Sequence, residues 1–128
     1  MAYLLDTHTL VWWWLADPKL SDAARAIVSD PSQQVLVSAA TAYEIANKVR
    51  LGKWPAVRSI LDAYDSAVSQ DGFAGLPVNS RHAHRAGLLG GEHRDPFDRL
   101  IAAQALLDDL TVVTRDPEIA AFGCKVLW

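Results

Sequence analysis

Asp6, Glu44, Asp98 and Asp116 are the residues whose type and placement point to chemistry, because each lies where an apolar run gives way to a helical one. Tyr3-Leu4-Leu5 ends in Asp6. Val35-Leu36-Val37 leads into the helix that carries Glu44, and Thr111-Val112-Val113-Thr114 ends near Asp116. The helix Phe97–Leu107 opens with Asp95 and Asp98. In an open α/β sheet, ligands bind outside the carboxyl ends of the parallel strands. Acids at these positions therefore converge if the elements share one sheet. Gathered carboxylates repel one another and raise each other's pKa unless a cation neutralises them. Hard oxygen donors of this kind suit Mg²⁺ or Mn²⁺.

The elements that must position these acids alternate strand and helix, the pattern of an α/β protein with a parallel sheet. Strands are predicted at Ala2–Leu5, Gln34–Ser38 and Thr111–Thr114, with shorter ones at Leu76–Val78 and, at an edge, Cys124–Leu127. Helices are predicted at Thr9–Ala16, Asp22–Ser29 (capped by Ser21), Thr41–Leu51, Val57–Gln70 and from Ser80, as cap, to Leu89. Gly52 is placed for the C-terminal turn of the third of these. Gly90-Gly91-Glu92-His93-Arg94 reads as a flexible loop just before the Asp95 helix. No stretch has the composition of a linker, so residues 1–128 read as one domain.

Each acid also fits a structural role. Asp95 and Asp116 precede prolines, as N-caps do. Thr41 to Glu44 fits a capping box, and Asp98 suits the positive end of its helix. Serine caps as well as aspartate does, however, and Ser21 and Ser80 are expected to cap helices away from the acids. Capping gives no reason for carboxylates to collect at one sheet edge; metal binding does.

Composition sets the surroundings. A hydrophobic fraction of 51% suits a compact core, and the lone Cys124 excludes a disulfide framework. There is no leader-like segment and no apolar stretch long enough for a bilayer, so the expected location is the cytoplasm. The net charge of −3 is weak ground against a nucleic-acid partner, since metal-neutralised carboxylates leave the remaining surface near balance. His93, Arg94, Arg99 and Arg115 flank the acids, and Lys48, Arg50 and Lys53 follow Glu44, all available to phosphates. Lys48 equally makes an i,i+4 pair with Glu44. His8, His82 and His84 lack the spacing of a zinc site. Trp12-Trp13-Trp14 cannot all face one core, because successive helical positions point about 100° apart. Either one ring meets a partner or the helix is covered on two sides. Trp54 and Trp128 are expected to pack.

Leu4-Leu5-Asp6-Thr7-His8, Ser38–Ala46, His93–Ala105 and Val113-Thr114-Arg115-Asp116 together resemble PIN-domain ribonucleases, and among them the VapC-type toxins of bacterial toxin–antitoxin pairs. The likeness spans nearly the whole chain and is most specific over Asp95–Ala105; Tyr43 stands where many relatives carry tryptophan. It implies a three-layer α/β/α PIN-like fold with a central, mainly parallel sheet. It maps the family's acidic site onto Asp6, Glu44, Asp98 and Asp116, with Asp95 as an added acid. It implies a Mg²⁺- or Mn²⁺-dependent endoribonuclease in which Asp6, Asp98 and Asp116 hold metal and Glu44 orients a water or fills a second site. Thr7 and Thr114, beside strand ends, are candidates to hydrogen-bond the carboxylates or the phosphate. A homodimer and a small VapB-type antitoxin are the implied partners, and RNA the substrate.

Rival readings fit less well. A haloacid-dehalogenase-type phosphatase needs a second aspartate where His8 stands. A receiver domain needs a phospho-acceptor aspartate at a middle strand and a late lysine, whereas Ser38 and Thr114-Arg115-Asp116 occupy those strand ends. A non-catalytic PIN-like or receiver-like interaction module is the alternative if metal binding has been lost.

Overall fold

Three apolar segments form the middle of the sheet because each can be buried on both faces. In the computed structural model, which describes residues 1–128, β1 (Ala2–Leu5), β2 (Gln34–Ser38) and β4 (Thr111–Val113) are joined at the edges by β3 (Ala74–Leu76) and β5 (Lys125–Leu127). All pairings are parallel and the order is β3-β2-β1-β4-β5. The chain thus walks outward from β1 to β3, then returns to the other side of β1. That reversal makes the gap between β1 and β4 the switch point, where a parallel sheet opens a crevice at its carboxyl edge. It also differs from the 2-1-3-4-5 order of receiver-type sheets.

The reversal sends helices to both faces, since parallel crossovers are right-handed. Tyr3, Leu5, Val35, Val37 and Val113 point to one face. There they meet Leu10 and Val11 of α1 (Thr7–Trp14), Ala24 and Val28 of α2 (Asp22–Ser29), and Ile45 and Val49 of α3 (Ala39–Arg50). Leu4 and Val112 point to the opposite face, against Ile101 and Ala105 of α7 (Pro96–Asp108) and Ile119 of α8 (Pro117–Ala121). Fully burying one Leu or Ile side chain stabilises by about 1.5–3 kcal/mol. The result is the expected three-layer α/β/α fold, with a sheet that is wholly parallel. No helix is long and apolar enough to cross a membrane.

Local chemistry moves several expected boundaries. Ser21 caps α2 through Ala24 N–H, and Gly52 follows α3 at φ +85° in a left-handed C-terminal turn. Helix α3 begins earlier than expected, however, because Ser38 caps it by accepting from Ala40 N–H. Thr41 therefore lies inside the helix and makes no capping box; its hydroxyl meets that of Thr7 at 3.0 Å. Likewise Asn79, not Ser80, caps α6 (Ser80–Leu88): its side chain accepts from His82 N–H while His82 Nδ1 accepts from Asn79 N–H. The single helix expected over Val57–Gln70 is broken into a 3₁₀ turn at Pro55–Val57, α4 (Arg58–Leu61) and α5 (Tyr64–Gln70). Ala63 leaves helical geometry at φ −128° and ψ 44°. Strand β3 lies two residues before its expected place, paired from Leu36–Ala74 to Ser38–Leu76, because Pro77 has no N–H to extend the ladder.

The tryptophan run separates in three directions. Trp12 meets Trp128 and His8, Trp13 meets Phe73, and Trp14 meets Tyr64. The indole N–H groups of Trp13 and Trp14 both donate to Asp71 Oδ2, at 3.2 and 3.1 Å. All three rings remain half-buried.

Candidate metal centre

Strand register brings the acids together. Leu5 lies level with Val37 on one side and Val113 on the other, so Asp6, Ser38 and Thr114 emerge side by side at the carboxyl edge. Asp6 N–H still reaches Val113 O at 3.2 Å, which fixes the residue before it turns into α1 as its N-cap. Its side chain is 4% exposed. Thr114 Oγ1 donates to Asp6 Oδ2 at 2.7 Å and accepts from Asp116 N–H at 3.0 Å. One hydroxyl thus ties the acids of β1 and β4. The hydrogen-bonding role expected for Thr114 is present, whereas Thr7 turns to Thr41 instead.

Glu44 enters from α3, 2% exposed, with Oε2 bonded to Lys48 Nζ at 2.7 Å. Asp98 enters from the first turn of α7 and is buried, with Oδ2 2.8 Å from His93 Nε2. Asp116 caps α8, accepting from Glu118 N–H at 2.9 Å. Asp95 has a different position: its Oδ1 accepts from Phe97 and Asp98 N–H. It is the N-cap of α7, and its charge acts on Asp98 from behind.

The electrostatics show which acids share one space. Burial raises Asp6 above the ordinary carboxylate value; the Thr114 bond and His8 oppose the shift, while the charges of Glu44 and Asp116 add to it. Asp98 is pushed up to about 7, first by burial, with the His93 bond opposing and the charges of Asp6, Asp95 and Asp116 adding. His93 is raised, chiefly by its bond to Asp98, and its other nitrogen lies 3.6 Å from Glu118. Ligand atoms of His93, Asp98 and Asp116 all fall within 4.8 Å of one another.

Asp6 Oδ1 and Glu44 Oε1 are buried without any hydrogen-bond partner. A desolvated carboxylate oxygen left bare is costly, and two bare oxygens on acids whose charges repel each other fit a hard divalent cation. The donor set is oxygen-rich, as Mg²⁺ or Mn²⁺ requires.

Among the basic residues, Arg99 is not free for phosphates. Its guanidinium donates to the carbonyls of Ala86, His93, Gly87 and Leu89, clamping the loop that carries His93. The pairing of His93 with Asp98 had no sequence signal beyond proximity, because loop residues follow no period. His82 is structural: buried, with Nε2 3.0 Å from Asp108 Oδ2.

A family model described as the PIN domain matches residues 3–123. Compared with curated proteins by sequence, the chain has no significant match. Solved structures that share its fold include three toxin–antitoxin complexes. VapBC2 from Rickettsia felis bound to a DNA fragment from its promoter has a TM-score of 0.70 and 19% identity, covering 99% of this chain and 98% of that one. FitAB bound to the IR36 DNA fragment has 0.66 and 25%, covering 98% and 93%. VapBC-1 from nontypeable Haemophilus influenzae has 0.68 and 18%, covering 99% and 97%.

Proposed function

The chain belongs to the PIN-domain family, and from that premise we propose that it is a divalent-metal-dependent endoribonuclease, the toxin of a VapBC-type toxin–antitoxin pair. The observation that carries this reading is the pair of bare, buried oxygens, Asp6 Oδ1 and Glu44 Oε1, inside a cluster that also includes Asp98 and Asp116. Asp6, Asp98 and Asp116 would hold Mg²⁺ or Mn²⁺, with Glu44 orienting a water beside them. A divalent cation in such a site lowers the pKa of bound water and stabilises charge on the phosphate oxygens.

The chain's own residues supply the rest. Thr114 fixes the rotamer of Asp6 through a 2.7 Å bond and holds the backbone of Asp116. Asp95 pins the first turn of α7, and so the height at which Asp98 enters. His93, whose pKa its bond to Asp98 raises, places an imidazole beside Asp98 at the edge of the cluster. Thr9 Oγ1 donates to Val113 O at 2.7 Å and keeps α1 seated over the strand end.

Purified protein should cut RNA internally when Mg²⁺ or Mn²⁺ is present and stop in EDTA; undiminished cleavage in EDTA would refute the mechanism. An unrestrained cytoplasmic ribonuclease is toxic, and the likeness to VapBC complexes supports an antitoxin as the restraint. Expression alone should therefore arrest growth, with the small gene adjacent to it restoring growth on co-expression. We also propose a homodimer, supported by the bulky apolar run of half-buried Trp12–Trp14 and exposed Leu15. Sedimentation at micromolar concentration should give twice the monomer mass, and a clean monomer would remove the dimer.

A further inference from the structure

Beside the acids runs a ribbon in which aromatic rings and cations alternate. His8 stands between two indoles, with its ring centre 5.3 Å from Trp54 (edge-on) and 5.7 Å from Trp12. Lys48 Nζ lies 4.5 Å over the Trp54 ring, and the Arg115 guanidinium lies 4.6 Å over that of Trp12. Lys19 Nζ approaches Trp12 as well, at 5.9 Å. His8 and Arg115 are exposed and the two tryptophans half-buried, so the ribbon is a surface and not a piece of core. At its Arg115 end it borders a cavity of 280 Å³ whose walls include Asp6 and Asp116.

We propose that this ribbon, from Trp54 through His8 and Trp12 to Arg115, is the track on which single-stranded RNA lies as it enters the carboxylate cluster. The proposal rests on the ribonuclease reading and names the form of its substrate. Proteins bind single strands without base pairing by combining a cationic groove with aromatic platforms, because every base has a π-face. Arginine adds a flat guanidinium on which an unpaired base also stacks. Here Arg115 follows Thr114 and precedes Asp116, so a phosphate or base held by it is one residue from the acids. On a chain of net charge −3, Arg115 and Lys19 are the cations of this flank that complement a polyanion, since Lys48 is already paired with Glu44. They also offset the repulsion that the acids exert on a phosphate. Arg115 and Lys48 already lie over Trp12 and Trp54, so the exposed His8 ring and Arg115 guanidinium are the surfaces left for a base. A duplex would hide its base faces from them, so the ribbon selects unpaired strands.

The test uses the whole protein and an oligouridylate of about eight nucleotides, within the range one domain covers. Binding in EDTA is tracked by quenching of tryptophan fluorescence, and cleavage in Mg²⁺ by initial rates. Arg115→Ala and His8→Ala should each weaken binding by roughly tenfold, consistent with loss of one stacked base or one phosphate contact. KM should rise more than kcat falls. His8→Phe should restore most of the affinity lost in His8→Ala, because the flat stacking platform returns. Arg115→Ala should also flatten the salt dependence of binding by about one ion. Unchanged RNA affinity in folded Arg115→Ala and His8→Ala overturns the track. The same holds if those changes weaken only the antitoxin complex, which would make the ribbon a protein-docking face. RNA binding that depends on the ribbon without metal-dependent cleavage would keep the track and remove the nuclease reading.

Discussion

Asp116→Asn should lower metal-dependent RNA cleavage by roughly a hundredfold or more, the scale seen when a preorganised charge is removed from a reacting centre, while the fold survives. Asparagine keeps an oxygen to accept from Glu118 N–H, so the cap of α8 is retained and only the charge is lost. Asp6→Asn should behave alike, since its oxygen can still accept from Thr114 Oγ1. Both acids contribute to the repulsion that raises Asp98, so the melting temperature of either variant in EDTA should equal or exceed that of the parent. Steady-state cleavage rates and calorimetry check the two halves separately. Parental activity in a folded Asp116→Asn protein would show that the cluster is not the reacting centre.

Metal-free protein should lose stability as pH rises towards neutrality, and Mg²⁺ should restore it. Proton binding sets the sign. Asp98 has a folded pKa of about 7 against an ordinary 3.8, so between these values the folded state holds a proton that the unfolded state has released. Its stabilising contribution is complete below the ordinary value and is lost as pH climbs through the folded one. The raised pKa of Asp6 acts in the same direction, and so does that of His93 in its own, higher range. A bound cation replaces the proton as the neutralising charge. Thermal melts at about pH 5.5 and about pH 8, with and without Mg²⁺, should show a gain of several degrees from metal at the higher pH and little at the lower. An equal gain at both would mean that the ion binds away from these acids.

Much of this was legible from residue order because strands bury both faces and helices do not. Ala2–Leu5 and Gln34–Ser38 fall where their apolar runs predicted, and the acids stand out as the residues just beyond the carboxyl ends of such runs. Helix starts were harder to place. Ser38, Thr41, Asn79 and Ser80 all have capping side chains, and only tertiary packing decides which of two neighbours turns towards the backbone. The break at Ala63 was equally hidden, since Ile60, Leu61, Tyr64 and Val68 keep helical spacing across it. At the site, the four acids were visible as types at positions, but the Asp98–His93 contact and the Arg99 clamp join residues through a loop. The ribbon was hidden for the same reason, because Trp54 and Arg115 are distant in sequence and meet only through α1.

The placement of β1 and β4 has a consequence for the order of events during synthesis. Asp6 is made 108 residues before Thr114, which orients it, and Asp116 follows at the same strand end, the second to pair beside β1. A ribosome that has translated only as far as residue 110 has therefore not yet assembled the carboxylate cluster. At ordinary elongation rates that interval is on the order of 5–20 s. If the cluster cuts RNA as proposed, the nascent chain is harmless to its own message during it. The parallel order of the sheet acts as a timer for the site, since the cluster forms only once β4 lies beside β1.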